Sequence, residues 1–143
     1  MIVVPFEPNH YVEAINSPHV IGDAYEAGVI YHDRGPAFTG LIDGKVAACA
    51  GVATFWPGMG EAWAVVTELG RQHRREVHRA VKTIFGSIVR DGGYHRIQAD
   101  VVANFAVGRR WAEHLGFEFE SFMRKYGPRG EDYVRYRILP SEE

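Results

Sequence analysis

The sequence is nearly without cysteine, and its one example, Cys49, stands among alanines in an apolar stretch. An intramolecular disulfide is excluded, which fits a reducing compartment. No cationic neighbour in sequence lowers the pKa of Cys49, so it is a poor nucleophile. Long apolar runs are missing too: nothing reads as a membrane span, and the first residues lack the basic-then-apolar form of a signal peptide. Neither sign of charge is in excess. Sixteen Lys and Arg against eighteen Asp and Glu leave a net charge of −2, so no global charge steers the chain to nucleic acid or membrane. Repeats and low-complexity tracts are absent. The remainder is ordinary globular composition, 46% hydrophobic and 24% charged over 143 residues, enough for one domain (1–143) with a full core.

The chain is organised around 61–117. Glu61 to Glu68 is apolar and β-branched, as a buried strand is. Leu69-Gly70-Arg71-Gln72 reads as a turn. From about Arg74 the apolar residues take helical period, with Val77, Ala80, Val81, Ile84, Phe85, Ile88 and Val89 on one side. Asp91-Gly92-Gly93 stops that helix. Arg96–Val102 is the next strand, and Asn104 begins a loop into a helix carrying Val107, Trp111 and Leu115. Strand, helix, strand is a crossover unit, so the two strands are expected side by side in one sheet.

Residues 71–82 hold Arg71, Arg74, Arg75, Arg79 and Lys82, with His73 and His78, against one acid, Glu76. Cations in a first helical turn oppose the helix dipole. A solvated basic face is one reading of such a run. The other, favoured here, is an anion site where the helix already points free N–H groups outward.

Before this core, 1–60 reads as a strand over Ile2–Phe6, a helix capped by Asn9, and a second helix from Ser17-Pro18 to a stop at Gly28. A hairpin follows, Ala37–Ile42 and Lys45–Phe55 around Asp43-Gly44, which suits a type I′ turn. Its second strand is rich in small residues, for close helix packing or a ligand slot. Trp56–Gly60 reads as a loop. After the core, 118–139 forms a hairpin around Gly127–Gly130, with Phe119 and Met123 on one face and Phe122 and Tyr126 on the other.

Strand, turn, helix and strand, then Asn104 and the run Arg110-Trp111-Ala112-Glu113-His114-Leu115-Gly116-Phe117, resemble the GCN5-related N-acetyltransferases (GNAT). The resemblance covers Met1 to about Leu139. It implies an α/β (α+β) fold: a twisted, mixed but mostly antiparallel sheet of about six or seven strands flanked by about four helices. It also implies acetyl-CoA as cofactor, no metal, and a small-molecule or protein amine as acceptor. In the family a Gly-rich turn cradles the pyrophosphate. Here the window Gln72-His73-Arg74-Arg75-Glu76-Val77-His78 has no glycine, so backbone cannot approach phosphate as closely. The pyrophosphate is then held by side chains such as Arg74 and Arg75, held farther out, or not held. Asn104 stands one position farther from Gly116 than the family spacing. The family's acidic Tyr falls on Trp111 or Ala112, neither of which supplies a proton. The eroded loop and the strand start Gly60-Glu61-Ala62-Trp63 are also similar to short GNAT-like proteins carried by tailed phages.

By position, the resemblance implies cofactor contacts from Val65, Val66 and Thr67 at the strand end, from Gln72, Arg74, Arg75, Glu76, Val77 and His78 at the helix start, and from Asn104 and Trp111. Glu68 at the strand end is the first general-base candidate, an ion pair with Arg71 or Arg74 being the equal alternative. Glu61 is the second, and Tyr126 is a replacement acid. His10, His19, Asp23, Tyr25, Glu26 and His32 stand where the family frames its acceptor pocket, though each alone reads as a surface or packing residue. Two functions of different class follow: an acetyl-CoA-dependent N-acetyltransferase, and a GNAT-fold binding or structural component without catalysis. Nucleic-acid binding fits poorly, since the basic run lacks spread and stacking aromatics. A cytoplasmic or virion-packaged protein, monomeric or homodimeric, is expected.

Overall fold

The computed structural model describes residues 1–15 and 21–140, the side chains of 21–23 excepted. The sheet is built outward from its longest strand, β3 (Lys45–Trp56), whose residues from Val46 to Ala53 are all buried. Small side chains there let helices close on both faces. On one face α4 (Arg74–Asp91) lays Val77 and Val81 against Ala48 and Ala50. On the other, Val46 and Cys49 meet Phe6 and the aromatic side chains of α1 (Pro8–Ile15) and α2 (Ile21–Arg34). The β3 alanines thus serve helix packing.

The seven strands run in the order β1-β2-β3-β4-β5-β7-β6. The others are β1 (Ile2–Pro5), β2 (Ala37–Ile42), β4 (Met59–Val66), β5 (Arg96–Val102), β6 (Glu118–Met123) and β7 (Tyr133–Ile138). All pairs are antiparallel except β4 with β5, the pair joined by α4 as expected of a crossover. A third cluster, Val52, Phe85, Ile88, Ile97, Phe117 and Tyr136, holds α4 and α5 (Ala106–His114) to the sheet. Asp43 and Gly44 both take positive φ, 51° and 76°, as the type I′ turn requires.

Several boundaries differ from the sequence reading. The strand begun at Glu61 starts at Met59, so Trp56–Gly60 is a tight hairpin through Pro57-Gly58 and not a loop. It ends at Val66. Thr67 is an N-cap, and residues 68–72 form a short helix, α3 (Glu68–Gln72), where a turn was expected. The cap explains this: the Thr67 hydroxyl accepts from the Gly70 N–H at 3.1 Å and lies within donating distance of the Val46 and Ala47 carbonyls, 2.9 and 3.1 Å. Gly70 is needed there, since a Cβ would sit 2.1 Å from the Ala47 carbonyl oxygen. α2 runs through Gly28 to Arg34, because that glycine lets the helices cross; its Cβ would lie 2.9 Å from the Pro8 carbonyl oxygen. The Ser17-Pro18 start lies outside the described residues. Asn9 is inside α1, whose first turn is held by the Glu7 N–H donating to His10 Nδ1 at 3.0 Å. A bulge at Glu120 puts Phe119 and Phe122 on one face, opposite Tyr136 and Val134.

Candidate active site where two parallel strands part

β4 and β5 pair only through Met59–Glu61 and Arg96–Gln98, then separate. Thr67 donates its N–H to the Ala47 carbonyl, and strand alternation fixes the rest. The main-chain groups of Glu61, Trp63 and Val65 face β3, while those of Ala62, Ala64 and Val66 face the gap. Val65 is therefore committed to the ladder, and the N–H groups of Ala64 and Val66 are turned toward the opening. The Val66 carbonyl accepts from Arg71 Nη1 at 2.9 Å.

At the floor of the gap a polar cluster forms on the face carrying α1 and α2. Asp100 on β5 lies opposite Arg135 on β7, which donates from Nε and Nη2 to its two oxygens at 2.9 and 3.0 Å. Asp100 is 5% exposed, so this is a half-buried bidentate pair. Glu61 stands beside it. Burial first, then the charge of Asp100, push the Glu61 carboxyl up to about 7, with Arg135 pulling the other way. Tyr126, on the β6–β7 connection, packs its ring on Tyr133 at 5.4 Å with the Arg135 guanidinium 5.9 Å from its centre. Partial burial, then Asp100 and Glu61, raise its phenol. From α2, Tyr31 stacks on Trp63 at 4.2 Å, and burial followed by the Glu61 charge raises its phenol too.

Of the three catalytic candidates, Glu61 and Tyr126 come together here and Glu68 does not. Glu68 is the first residue of α3, exposed, and takes both Nε and Nη2 of Arg71 at 3.1 and 2.9 Å. The ion-pair alternative for it is the one observed. Asp100, Arg135 and Tyr31 were missed in the sequence. The one available signal was β7's alternation, Arg135 and Arg137 between Val134, Tyr136 and Ile138, which shows a polar face without naming its partner.

At the helix start, Arg74 and Arg75 are exposed in the first turn of α4 and make no ion pair among the described residues. His73 caps neither N–H with its side chain, so the first-turn N–H groups stay free for an anion. Gln72, exposed, ends α3 just before them. Two of the expected residues have groups already engaged within the protein, although the Glu76 N–H is among the free first-turn groups. Val77 is 2% exposed and its N–H donates to the His73 carbonyl, leaving it nothing for a ligand. The Glu76 carboxylate instead accepts from the Met1 amine at 3.2 Å. His78 and Trp111 do meet, the indole donating to His78 Nδ1 at 2.9 Å across α4 and α5. Asn104 is exposed in the turn one residue before Phe105, the N-cap of α5. Of the expected acceptor-side residues, His10 accepts from Glu7 and bonds Thr39 at 2.9 Å, and His32 pairs with Asp33 at 3.0 Å. Tyr25 and Glu26 are exposed, and His19 and the Asp23 side chain lie outside the described residues.

No group of acids, histidines or cysteines among the described residues is arranged to hold a metal ion. No described helix is long and apolar enough to cross a membrane. No protein-family model matches the chain, and neither does any curated protein. Solved structures do. A variant of a spermidine N-acetyltransferase from Vibrio cholerae superposes with a TM-score of 0.76 at 13% identity, over 99% of this chain and 96% of that one. A ribosomal-protein-S5-alanine acetyltransferase from Vibrio fischeri gives 0.71 at 16% identity, over 98% and 93%. A GNAT-family acetyltransferase from Bacillus anthracis gives 0.72 at 15% identity, over 97% and 94%. At such identities the likeness is one of architecture, and it is nearly end to end: the chain has the GNAT acetyltransferase fold.

Proposed function

We propose that this chain is an acetyl-CoA-dependent N-acetyltransferase in which Glu61 is the general base. The observation that carries the reading is the convergence of Glu61, Asp100, Arg135 and Tyr126 beside the gap between β4 and β5. A base that titrates near 7 accepts a proton from an incoming ammonium and releases it again at neutral pH. Acetyl-CoA, when bound, supplies an acetyl group activated as a thioester. The Val66 N–H is a fixed donor for an oxygen in the gap, which needs no particular side chain there. The Tyr126 phenol keeps its proton at neutral pH and can give it to a leaving thiolate.

The residues at the helix start suit the cofactor's phosphates in kind, with Arg74 and Arg75 and the free first-turn N–H groups together. They replace glycine by side chains, so the phosphates are held at side-chain distance. A second reading, a GNAT-fold binding or structural component such as a virion protein, is favoured by that same lack of glycine. The acceptor, small or protein-borne, is left open, because a fold does not select it.

The test is thiol release from acetyl-CoA in the presence of a panel of primary amines. Glu61→Gln is expected to lower kcat by about a hundredfold or more. The wild-type rate is expected to climb through about pH 7 as Glu61 loses its proton, then level off. Arg74→Glu with Arg75→Glu should abolish acetyl-CoA binding while leaving folding intact. Unchanged binding in the double variant, with no turnover on any amine, would favour the second reading.

A further inference from the structure

We propose that β6 is an interface between two copies of this chain, each β6 pairing antiparallel with the other across a two-fold axis between Glu120 and Ser121. β6 ends the sheet, so the main-chain groups on its far side have no strand partner. The opposite edge, β1, is four residues long and ends in Pro5, which blunts it. β6 is six residues long, holds no proline, and leaves an apolar face bare. Nothing in this interface depends on the acetyl-CoA reading.

That face is the side on which α4 and α5 lie. Phe119 meets the Tyr136 ring edge-on at 6.4 Å, and Phe122 is opposite Val134, both partners belonging to the core. Yet Phe119 and Phe122 are 54% and 53% exposed, since α5 packs over β5 and leaves β6 uncovered. An apolar pair continuous with an open ladder is the combination that recruits another strand.

The strand's own pattern names the occupant. Glu118 is opposite Arg137, Ser121 is opposite Arg135, and Glu120 reaches Arg96, so all three turn to the polar face. Phe119 and Phe122 then stand equally far from the midpoint, on the other face. Opposed residues of an antiparallel pair share a face. The two-fold axis therefore sets Phe119 of each copy against Phe122 of the other.

Charge is ordered to match. Glu118 and Glu120 fall in the first half of β6, and Arg124 and Lys125 follow its end, exposed and in no ion pair among the described residues. Arg96 occupies Glu120, but Glu118 is 80% exposed and no nearer than 4.0 Å to Arg137. Antiparallel pairing brings Glu118 of each copy beside Arg124 of the other; parallel pairing would set acid on acid. The complement is thus built into the chain itself, which favours a second copy over a foreign strand. Each half-exposed phenylalanine has roughly 100 Å² left to bury. Four of them and one short ladder make a small interface, and weak association follows.

Sedimentation equilibrium of the purified chain from about 1 to 500 μM should show reversible dimerisation with a Kd of about 10–100 μM. Phe119→Lys should abolish the dimer over this range with a Tm within about 2 °C of wild type, because the site is already exposed. Glu118→Arg and Arg124→Glu should each weaken dimerisation about fivefold or more, and together restore it to within about threefold of wild type. Ser121→Cys should cross-link to its own copy under mild oxidation, since the axis brings the two positions to about 6 Å. Exposed Arg90→Cys on α4 should not, and native Cys49 is buried. A chain monomeric throughout that range, a dimer indifferent to Phe119→Lys, or a double swap no better than its singles would overturn the proposal. A monomeric chain that instead binds an alternating Val/Thr peptide, and loses it in Phe119→Lys, would give the edge to another protein and overturn it too.

Discussion

Replacing Arg135 by methionine isolates the charge arrangement at the floor of the gap. Arg135 gives two hydrogen bonds to Asp100, and its charge is what opposes the upward shift of Glu61. Methionine keeps most of the side-chain volume and leaves two carboxyls facing each other without a counter-charge. Breaking a fully buried pair from one side costs about 3–5 kcal/mol. Here Asp100 is 5% and Arg135 26% exposed, so solvent screening reduces the expectation to roughly 2–3 kcal/mol at pH 8.5. The sign with pH follows from Glu61. Its folded pKa is already raised to about 7, and losing Arg135 raises it further. A carboxyl raised in the folded state stabilises fully below its unfolded pKa and loses that contribution as pH rises through the folded value. The deficit of Arg135→Met therefore grows above about pH 7, and at pH 6 it should fall to roughly half. Urea unfolding at pH 6 and 8.5, followed by tryptophan fluorescence, measures both. A deficit equal at the two pH values, or below about 0.5 kcal/mol at both, would refute the reasoning and make the pair an ordinary surface contact.

Glu61→Gln should remove the fall in stability that wild type shows between about pH 4.5 and 7, so that its urea midpoint at pH 8 equals or exceeds wild type; a lower midpoint at pH 8 would count against a raised Glu61. Gly70→Ala drives a Cβ into the Ala47 carbonyl and should cost about 3 kcal/mol or more, seen as a drop in Tm of roughly 8 °C or greater. A shift below about 2 °C would mean that α3 moves off β3 without penalty. Thr67→Val removes the α3 cap and the hydroxyl contacts to β3, for an expected loss of about 1–2 kcal/mol in chemical denaturation; a neutral result would dismiss the cap.

The crossover unit was legible because a continuous apolar run ending at Val66 gives way to helical period from Val77, and Gly92-Gly93 marks where the helix ends. Asp43-Gly44 announced its hairpin in the same local way. What escaped was set by register between distant strands. Asp100 and Arg135 are opposite each other only because β5 and β7 pair at that offset. Nothing within either segment names the other. Glu68 was misplaced by one missed signal: Thr67 followed by an acid is an N-cap and first turn, so the carboxylate left the strand for a helix. Phe122 was put on the wrong face because a single bulge residue, Glu120, breaks strict alternation without any mark in composition. At the helix start, lost glycines are visible in the sequence, but the bond from Trp111 to His78 depends on how α4 and α5 pack.

Whether the arginines have taken over from glycine is decided most directly by calorimetric titration of the purified chain with acetyl-CoA at moderate salt. Saturable binding in the micromolar range, about −8 kcal/mol, is expected, and it should be lost when Arg74 and Arg75 are both changed to Glu. No heat at millimolar acetyl-CoA, or binding that ignores the double charge reversal, would contradict it.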